Sequence, residues 1–314
     1  MNGTAITVKD LTKKFGIFTA VNAISFDIKR GEIFGFLGPN GAGKTTTIRM
    51  LCALIDPTSG HATVGGYDIA KQSNEIKNII GYMSQKFSLY DDLTVSENID
   101  FFAGIYQTPK ATRKQRKEEI IKISELFGKE DVLTGELASA MKQHLALGCA
   151  LINDPQIIFL DEPTAGVDPI ARKQFWDTIK SLAKKGVTAL VTTHYMDEAE
   201  NCDRIALISD GVIVACDTPE NLKRTCMNGL LYKVECSNVM KGLEILRNVP
   251  QFHEVALYGL NLHVVIQDEK DASLISSFLK GANIEVKRVG RVDPSLEDVF
   301  VSLVEAQQRE KARV

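Results

Sequence analysis

No apolar run in the 314-residue chain approaches the roughly 18 residues that would span a bilayer as a helix, so no membrane span is expected. The first residues, Met1 to Thr7, lack the basic and apolar regions of a secretory signal, and the chain is expected to stay in the cytoplasm. An excess of one charge is missing too. Against 40 Asp and Glu stand 37 Lys and Arg, a formal net charge of −3, without the basic footprint a nucleic-acid partner would leave; no nucleic acid is expected. The 6 cysteines contain no C-x-x-C pair and mostly sit among apolar neighbours. That pattern favours buried free thiols in a reducing compartment over disulfides or a thiolate metal site.

The length suits one large domain and a smaller one. The chain is organised around Gly38-Pro39-Asn40-Gly41-Ala42-Gly43-Lys44-Thr45-Thr46, which satisfies G-x-x-x-x-G-K-[ST]. The apolar strand pattern Ile33 to Leu37 precedes it and the helix-compatible Lys44 to Leu54 follows. Glycines let backbone N–H groups converge on a polyphosphate, where a helix N-terminus adds partial positive charge. Lys44 would pair the β and γ phosphates, and Thr45 would place its hydroxyl on Mg2+, which takes hard oxygen ligands.

Alternation at Ile6–Val8 and Ile24–Ile28 predicts strands before this loop. Between them Phe15 offers a ring that either fills core or stacks on adenine. The short strand pattern Ile79–Met83 delivers Gln85. From Thr94 to about Phe127 apolar positions recur every three or four residues, a helical insertion whose basic run Lys110–Lys117 fits a solvated face better than a partner patch. Ile157–Leu160 suits a strand buried on both faces and ends in Asp161-Glu162. There Asp161 can hold Mg2+ through water, and Glu162 can polarise a water for attack on the γ phosphate. Asp168-Pro169 starts a helix, and the buried-strand pattern Val187–Thr192 brings His194 within reach of the γ phosphate. His61, His253 and His263 lie in predicted strands and are assigned no chemistry. Past Cys226 the order β-α-β-β-α-β predicts a ferredoxin-like unit. Asp293-Pro294 is expected to cap a last helix whose stripe Leu296, Val299, Phe300 and Leu303 packs on its own domain or on a partner chain.

Gly38 to Thr46, Gln85, Asp161, Glu162, Asp168 and His194, in this order, resemble the ATP-binding cassette ATPases over about Ala5 to Leu222. More narrowly, the chain resembles the nucleotide-binding subunit of a bacterial exporter of the drug-resistance type, the weaker C-terminal match resting on Pro294-Ser295-Leu296-Glu297-Asp298-Val299-Phe300. The resemblance implies an α/β P-loop NTPase over 1–226, with a RecA-like core, an N-terminal antiparallel β subdomain and a helical subdomain at about 87–153. A small α+β ferredoxin-like domain would follow over 227–314. It implies ATP and Mg2+ as cofactors, Phe15 stacking on adenine, Gly38 to Thr46 as Walker A, and Ile157 to Glu162 as Walker B with Glu162 the catalytic base. Gln85 would touch Mg2+ and the attacking water, Asp168 would cross a dimer interface, and His194 would contact the γ phosphate. The partners implied are transmembrane permease subunits and a second cassette ATPase chain, with this chain peripheral on the cytoplasmic face of the inner membrane.

One motif departs from the family. In place of Leu-Ser-Gly-Gly-Gln stands Leu137-Ala138-Ser139-Ala140-Met141, before Lys142-Gln143-His144. Ala138 removes a hydroxyl whose hydrogen bond to a charged group is worth about 1.5–3 kcal/mol, and Ser139 and Ala140 add Cβ atoms where glycine allows close approach. If cassettes close head to tail, a homodimer would have two impaired sites and a heterodimer one good site; both arrangements stay open. The expected function is ATP binding and hydrolysis energising export through separate transmembrane subunits. The alternatives are an ATP-dependent binding module with little hydrolysis and a soluble, non-transport cassette ATPase.

Overall fold

The computed structural model describes residues 3–85, 89–227 and 229–311. Internal contacts divide the chain after Thr218 into two compact units.

In the first unit β1 (Thr4–Phe15) and β2 (Phe18–Lys29) form a long antiparallel hairpin, and β3 (Ile33–Leu37) leads into α1 (Lys44–Leu51). There follow β4 (Ser59–Val64), β5 (Tyr67–Asp68), α2 (Ser73–Ile79) and β6 (Ile80–Met83). Next come α3 (Val95–Ile105), α4 (Lys110–Ile123) and α5 (Ser139–Ala150). The unit closes with β7 (Ile157–Asp161), α6 (Pro169–Lys184), β8 (Thr188–Thr193), the single-turn α7 (Met196–Ala199), β9 (Arg204–Ser209) and β10 (Val212–Asp217). One sheet runs β2-β1-β4-β5 and is antiparallel; the other runs β10-β9-β3-β8-β7-β6 and is parallel except for β10.

Every residue of β3, β7 and β8 is buried, which is why Ile33–Leu37, Ile157–Leu160 and Ala189–Val191 read as apolar runs rather than alternations. Ile6 and Val8 of the antiparallel sheet, Phe34 and Phe159 of the parallel sheet, and Ile48 and Leu51 of α1 belong to one core, which fixes α1 beneath the loop that precedes it. Leu37 stands opposite Thr193, and Asp161 opposite Thr192. The loops after β3, β7 and β8 therefore leave the sheet side by side, the place where open parallel sheets bind ligands.

Helices α3, α4 and α5 pack on one another. The basic run on α4 is less solvated than its composition predicts. Lys117 reaches Asp100 of α3 at 2.6 Å, and Arg116 donates to the carbonyls of Leu151 and Ile152 at 2.7 and 3.2 Å, satisfying acceptors at the end of α5. Helix α2 has no counterpart in the sequence reading, which takes Ile79 as the start of a strand; Ile79 ends the helix and β6 begins at Ile80. Among the described residues no helix is long and apolar enough to cross a membrane. The 6 cysteines are free.

The second unit begins with α8 (Pro219–Thr225) and continues β11 (Leu230–Cys236), α9 (Val239–Arg247), β12 (Phe252–Tyr258), β13 (Asn261–Ile266), α10 (Ala272–Gly281), β14 (Val286–Arg291) and α11 (Leu296–Lys311). Its antiparallel sheet has the order β12-β13-β11-β14, the ferredoxin-like arrangement with the first and third strands at the centre. Leu243 and Leu246 of α9 and Ile275 and Leu279 of α10 pack with Val234, Leu262 and Val264 of the sheet. The last helix is capped by Ser295, not by Asp293. The Ser295 hydroxyl accepts from Asp298 N at 3.2 Å, and the Asp298 carboxylate accepts from Ser295 N at 2.8 Å, a capping box in which aspartate takes the usual glutamate position.

Candidate functional site

The loop between β3 and α1 needs its glycines for measurable reasons. A Cβ on Gly38 would lie 2.2 Å from the Ile208 carbonyl oxygen. Gly43 adopts φ 104°, and a Cβ there would lie 2.5 Å from the Ala20 carbonyl oxygen. Gly43 is also the N-cap of α1 and supplies no side-chain acceptor, so the first N–H groups of the helix are left for a ligand. Thr45 and Asn40 are exposed at the loop surface, whereas Lys44 is buried at 4% exposure. Its ammonium donates to the carbonyls of Gly38 at 2.7 Å and Pro39 at 3.2 Å.

Four residues from separate stretches of sequence meet at one carboxylate. Glu162 Oε1 lies 3.1 Å from Lys44 Nζ; Glu162 Oε2 accepts from Gln85 Nε2 at 3.0 Å and lies 3.3 Å from His194 Nδ1. Glu162 is buried and holds φ at 48°, in the left-handed region that non-glycine residues rarely occupy. Its N–H donates to the carbonyl oxygen of Thr192 at 3.1 Å and to the Thr192 hydroxyl at 2.9 Å, which holds the strained residue in place. Such strain persists only where the surroundings over-determine it, and it concentrates at functional sites.

Asp161, one residue earlier, accepts from the Thr192 hydroxyl through Oδ1 at 2.6 Å. Its Oδ2 is buried and, among the described residues, has no partner at hydrogen-bonding distance, the Thr45 hydroxyl being the neighbouring polar group. Burial lifts the Asp161 pKa, opposed by the hydroxyls of Thr192 and Thr45, and the neighbouring charge of Glu162 adds to the lift. A buried carboxylate oxygen with no donor, beside the hydroxyl of the phosphate-loop threonine, is the donor set a small hard cation takes up.

Three functional supports escape sequence reasoning: Thr192, Thr193 and Glu198. Thr192 orients both Asp161 and Glu162, and the one signal for it was a polar pair closing an apolar strand. Glu198 is 1% exposed, accepts hydrogen bonds from the hydroxyls of Thr164 and, at 2.9 Å, Thr193, and lies 3.2 Å from Arg172 Nε. Burial raises its pKa against the pull of those two hydroxyls and of Arg172.

The other expected residues stand apart from the Glu162 cluster. Phe15 ends β1 with its ring half exposed and Lys13 Nζ 5.2 Å from the ring centre, an open platform at the tip of the β1–β2 hairpin. Asp168 uses Oδ1 to cap α6, accepting from Ile170 N at 3.0 Å and Ala171 N at 3.1 Å. Leu137 is buried before α5; Ala138 is the N-cap of that helix and provides no side-chain hydrogen bond; Ser139, Ala140 and Met141 form its first turn. Ala138 and Ser139 are exposed.

Comparison with known proteins gives the same outline. Residues 21–165 match the family model described as ABC transporter, and residues 218–304 match the C-terminal domain of DrrA1-3-like ATP-binding proteins. The chain is similar to the probable multidrug ABC transporter ATP-binding protein YbhF of Escherichia coli, 51% identical over 228 residues, which are 72% of this chain and 39% of YbhF. It therefore spans well under half of that relative. Similarity to the linearmycin resistance ATP-binding protein LnrL of Bacillus subtilis runs at 33% identity over 95% of this chain and 97% of LnrL. Among solved structures, a dimeric ATP-binding cassette in a post-hydrolysis state with ADP and Pi matches with TM-score 0.62 and 27% identity, over 68% of this chain and 98% of that one.

Proposed function

Because the chain belongs to the ABC transporter family of ATP-binding proteins, we propose that it is the ATP-hydrolysing subunit of an exporter whose transmembrane subunits are separate chains. The observation that carries this reading is the convergence of Lys44, Gln85 and His194 on the carboxylate of Glu162. Glu162 takes a proton from the water that attacks the γ phosphate, the bond from γ phosphorus to the bridging oxygen breaks, and ADP leaves with inorganic phosphate. Polyphosphate replaces the carbonyls of Gly38 and Pro39 and the Glu162 carboxylate as partner of Lys44, while His194 and the N–H groups starting α1 stabilise charge on the transferred group. Asp161, Thr45 and Gln85 would hold Mg2+, which would supply charge neutralisation for the polyphosphate. Phe15 stacks on adenine, and Asp168 lies at the contact with a second cassette. The chain sits on the cytoplasmic face of the inner membrane.

A second reading, ATP-dependent association with little turnover, is favoured by the missing hydroxyl at Ala138. One experiment separates the two. The full chain is purified with its co-assembling membrane proteins, and ATP turnover is compared between wild type and Glu162→Gln. Wild-type phosphate release that falls about 100-fold or more in the variant, with nucleotide binding kept, supports hydrolysis. Wild-type turnover in the variant removes Glu162 from the chemistry, and negligible release from both leaves the association reading.

A further inference from the structure

We infer that Glu198 is a positioning residue for hydrolysis, a buried clamp that sets the separation between the turn carrying Glu162 and the loop carrying His194. The inference rests on the hydrolytic reading of the site.

Among the described residues the hydrogen bonds and ion pair of the Glu198 carboxylate go to Thr164, Thr193 and Arg172, not to Glu162 or the phosphate loop. Glu198 lies on α7, four residues past His194, and its two oxygens serve opposite sides of the site. Oε1 accepts from the hydroxyl of Thr164, two residues beyond Glu162, and lies 3.2 Å from Arg172 Nε on α6. Oε2 accepts from the hydroxyl of Thr193 at 2.9 Å, and Thr193 immediately precedes His194. The Thr193 hydroxyl in turn accepts from Tyr195 N at 3.0 Å, so one neighbour of His194 holds the backbone of the other and is itself held by Glu198. The arrangement closes on itself: the Tyr195 ring lies 4.1 Å from that of His194, and the Arg172 guanidinium covers Tyr195 at 4.5 Å.

A buried carboxylate that served stability alone could spend its hydrogen bonds anywhere in the core. This one spends them on the residues that flank the strained Glu162 and the histidine 3.3 Å from it. On one side the Glu162 N–H is held by Thr192; on the other its turn closes through Ala165 N to Glu162 O at 3.2 Å and is anchored by Thr164 on Glu198. Small displacements of such groups cost rate rather than binding, because Lys44 and the N–H groups that hold nucleotide lie outside the clamp.

The test uses the full chain with its membrane partners and reads kcat, the KM for ATP and the affinity for a fluorescent ATP analogue. Thr193→Val and Glu198→Gln are each expected to lower kcat by about 10- to 100-fold with KM and analogue affinity within about twofold. Thr193→Ser, which keeps the hydroxyl, restores the turnover lost in Thr193→Val, and the double variant Thr193→Val/Glu198→Gln falls no further than the worse single one. Unchanged kcat in both single variants overturns the proposal. So does a loss of kcat that tracks a loss of nucleotide-binding sites and that Thr193→Ser fails to rescue. Glu162→Gln runs alongside: if it turns over like wild type, the hydrolytic reading itself has failed, whereas an inactive Glu162→Gln beside a fully active Glu198→Gln defeats only the clamp.

Discussion

Helices α1 and α5 both begin with no side chain closing the first turn, while α3, α6 and α11 are closed by Thr94, Asp168 and Ser295. An open N-terminus leaves N–H groups and a partial positive charge for a ligand, and on that count α1 and α5 are alike. What surrounds them differs. At α1 the buried ammonium of Lys44, the Glu162 carboxylate and the donor-free Oδ2 of Asp161 gather around the opening. At α5 the exposed residues are Ala138 and Ser139, and Lys142, four residues after the N-cap, is paired with Asp91 at 2.9 Å. An open helix end is therefore a permissive feature, and charged groups held by a core make it a site.

The closed ends offer the strongest way to press the comparison. Asp298 closes α11 and also holds His263, Nδ1 to Oδ1 at 2.5 Å, both side chains 7% exposed. Asp298→Ala leaves the histidine buried without its partner and opens the helix, and is expected to destabilise the C-terminal unit by about 3 kcal/mol in denaturant titration. Burial works to raise the Asp298 pKa, but the hydrogen bonds from His263 and from Ser295 outweigh it and hold the group below its ordinary 3.8. A depressed carboxylate contributes stability above its unfolded value and loses it as pH falls through the folded one. The stability gap between wild type and variant should thus be full above pH 3.8 and shrink below it. A gap that does not depend on pH would show that the closure is steric.

Closing an open end is the next test. Ala138 already has the backbone of an N-cap, φ −60° and ψ 151°, so Ala138→Ser fits without rearrangement. If α5 meets the γ phosphate of a second cassette, the restored hydroxyl raises steady-state turnover of the assembled transporter by about 10- to 100-fold, the worth of one hydrogen bond to a charged group. If instead the melting temperature rises and turnover stays, the hydroxyl serves only the helix, and α5 plays no part in hydrolysis.

The two Asp-Pro pairs show how far sequence carries. Asp168-Pro169 reads as cap and first helical residue, and the structure has that arrangement. The same reading of Asp293-Pro294 fails because Ser295 and Asp298 close a capping box with each other, a pairing visible only once both side chains are placed. The phosphate loop and the ends of β7 and β8 were legible because motif and apolar run lie next to each other in the chain. The supports at Thr192, Thr193 and Glu198 were not, since hydrogen bonds between neighbouring strands and loops leave no period to read. Helix α2 was missed for the related reason that it buries only Ile76 and has no side-chain cap.

The smallest effect guards the comparison against a trivial explanation. Thr94 and Glu97 form a complete capping box at α3, with the Thr94 hydroxyl accepting from Glu97 N at 3.2 Å and the Glu97 carboxylate accepting from Thr94 N at 2.9 Å. Glu97 is pulled below its ordinary pKa by hydrogen bonds from the Thr94 N–H and then from its hydroxyl, so the box is electrostatically engaged. Thr94→Ala should cost about 1 kcal/mol of stability, the usual worth of an N-cap. It should leave turnover per folded chain where it was, since neither residue belongs to the Glu162 cluster. Were Thr94→Ala to slow hydrolysis as well, any weakening of the α3–α5 bundle would reach the site, and a gain from Ala138→Ser could then come from a firmer bundle rather than from a hydroxyl on phosphate. A silent Thr94→Ala beside a faster Ala138→Ser leaves the chemistry of the open end as the cause.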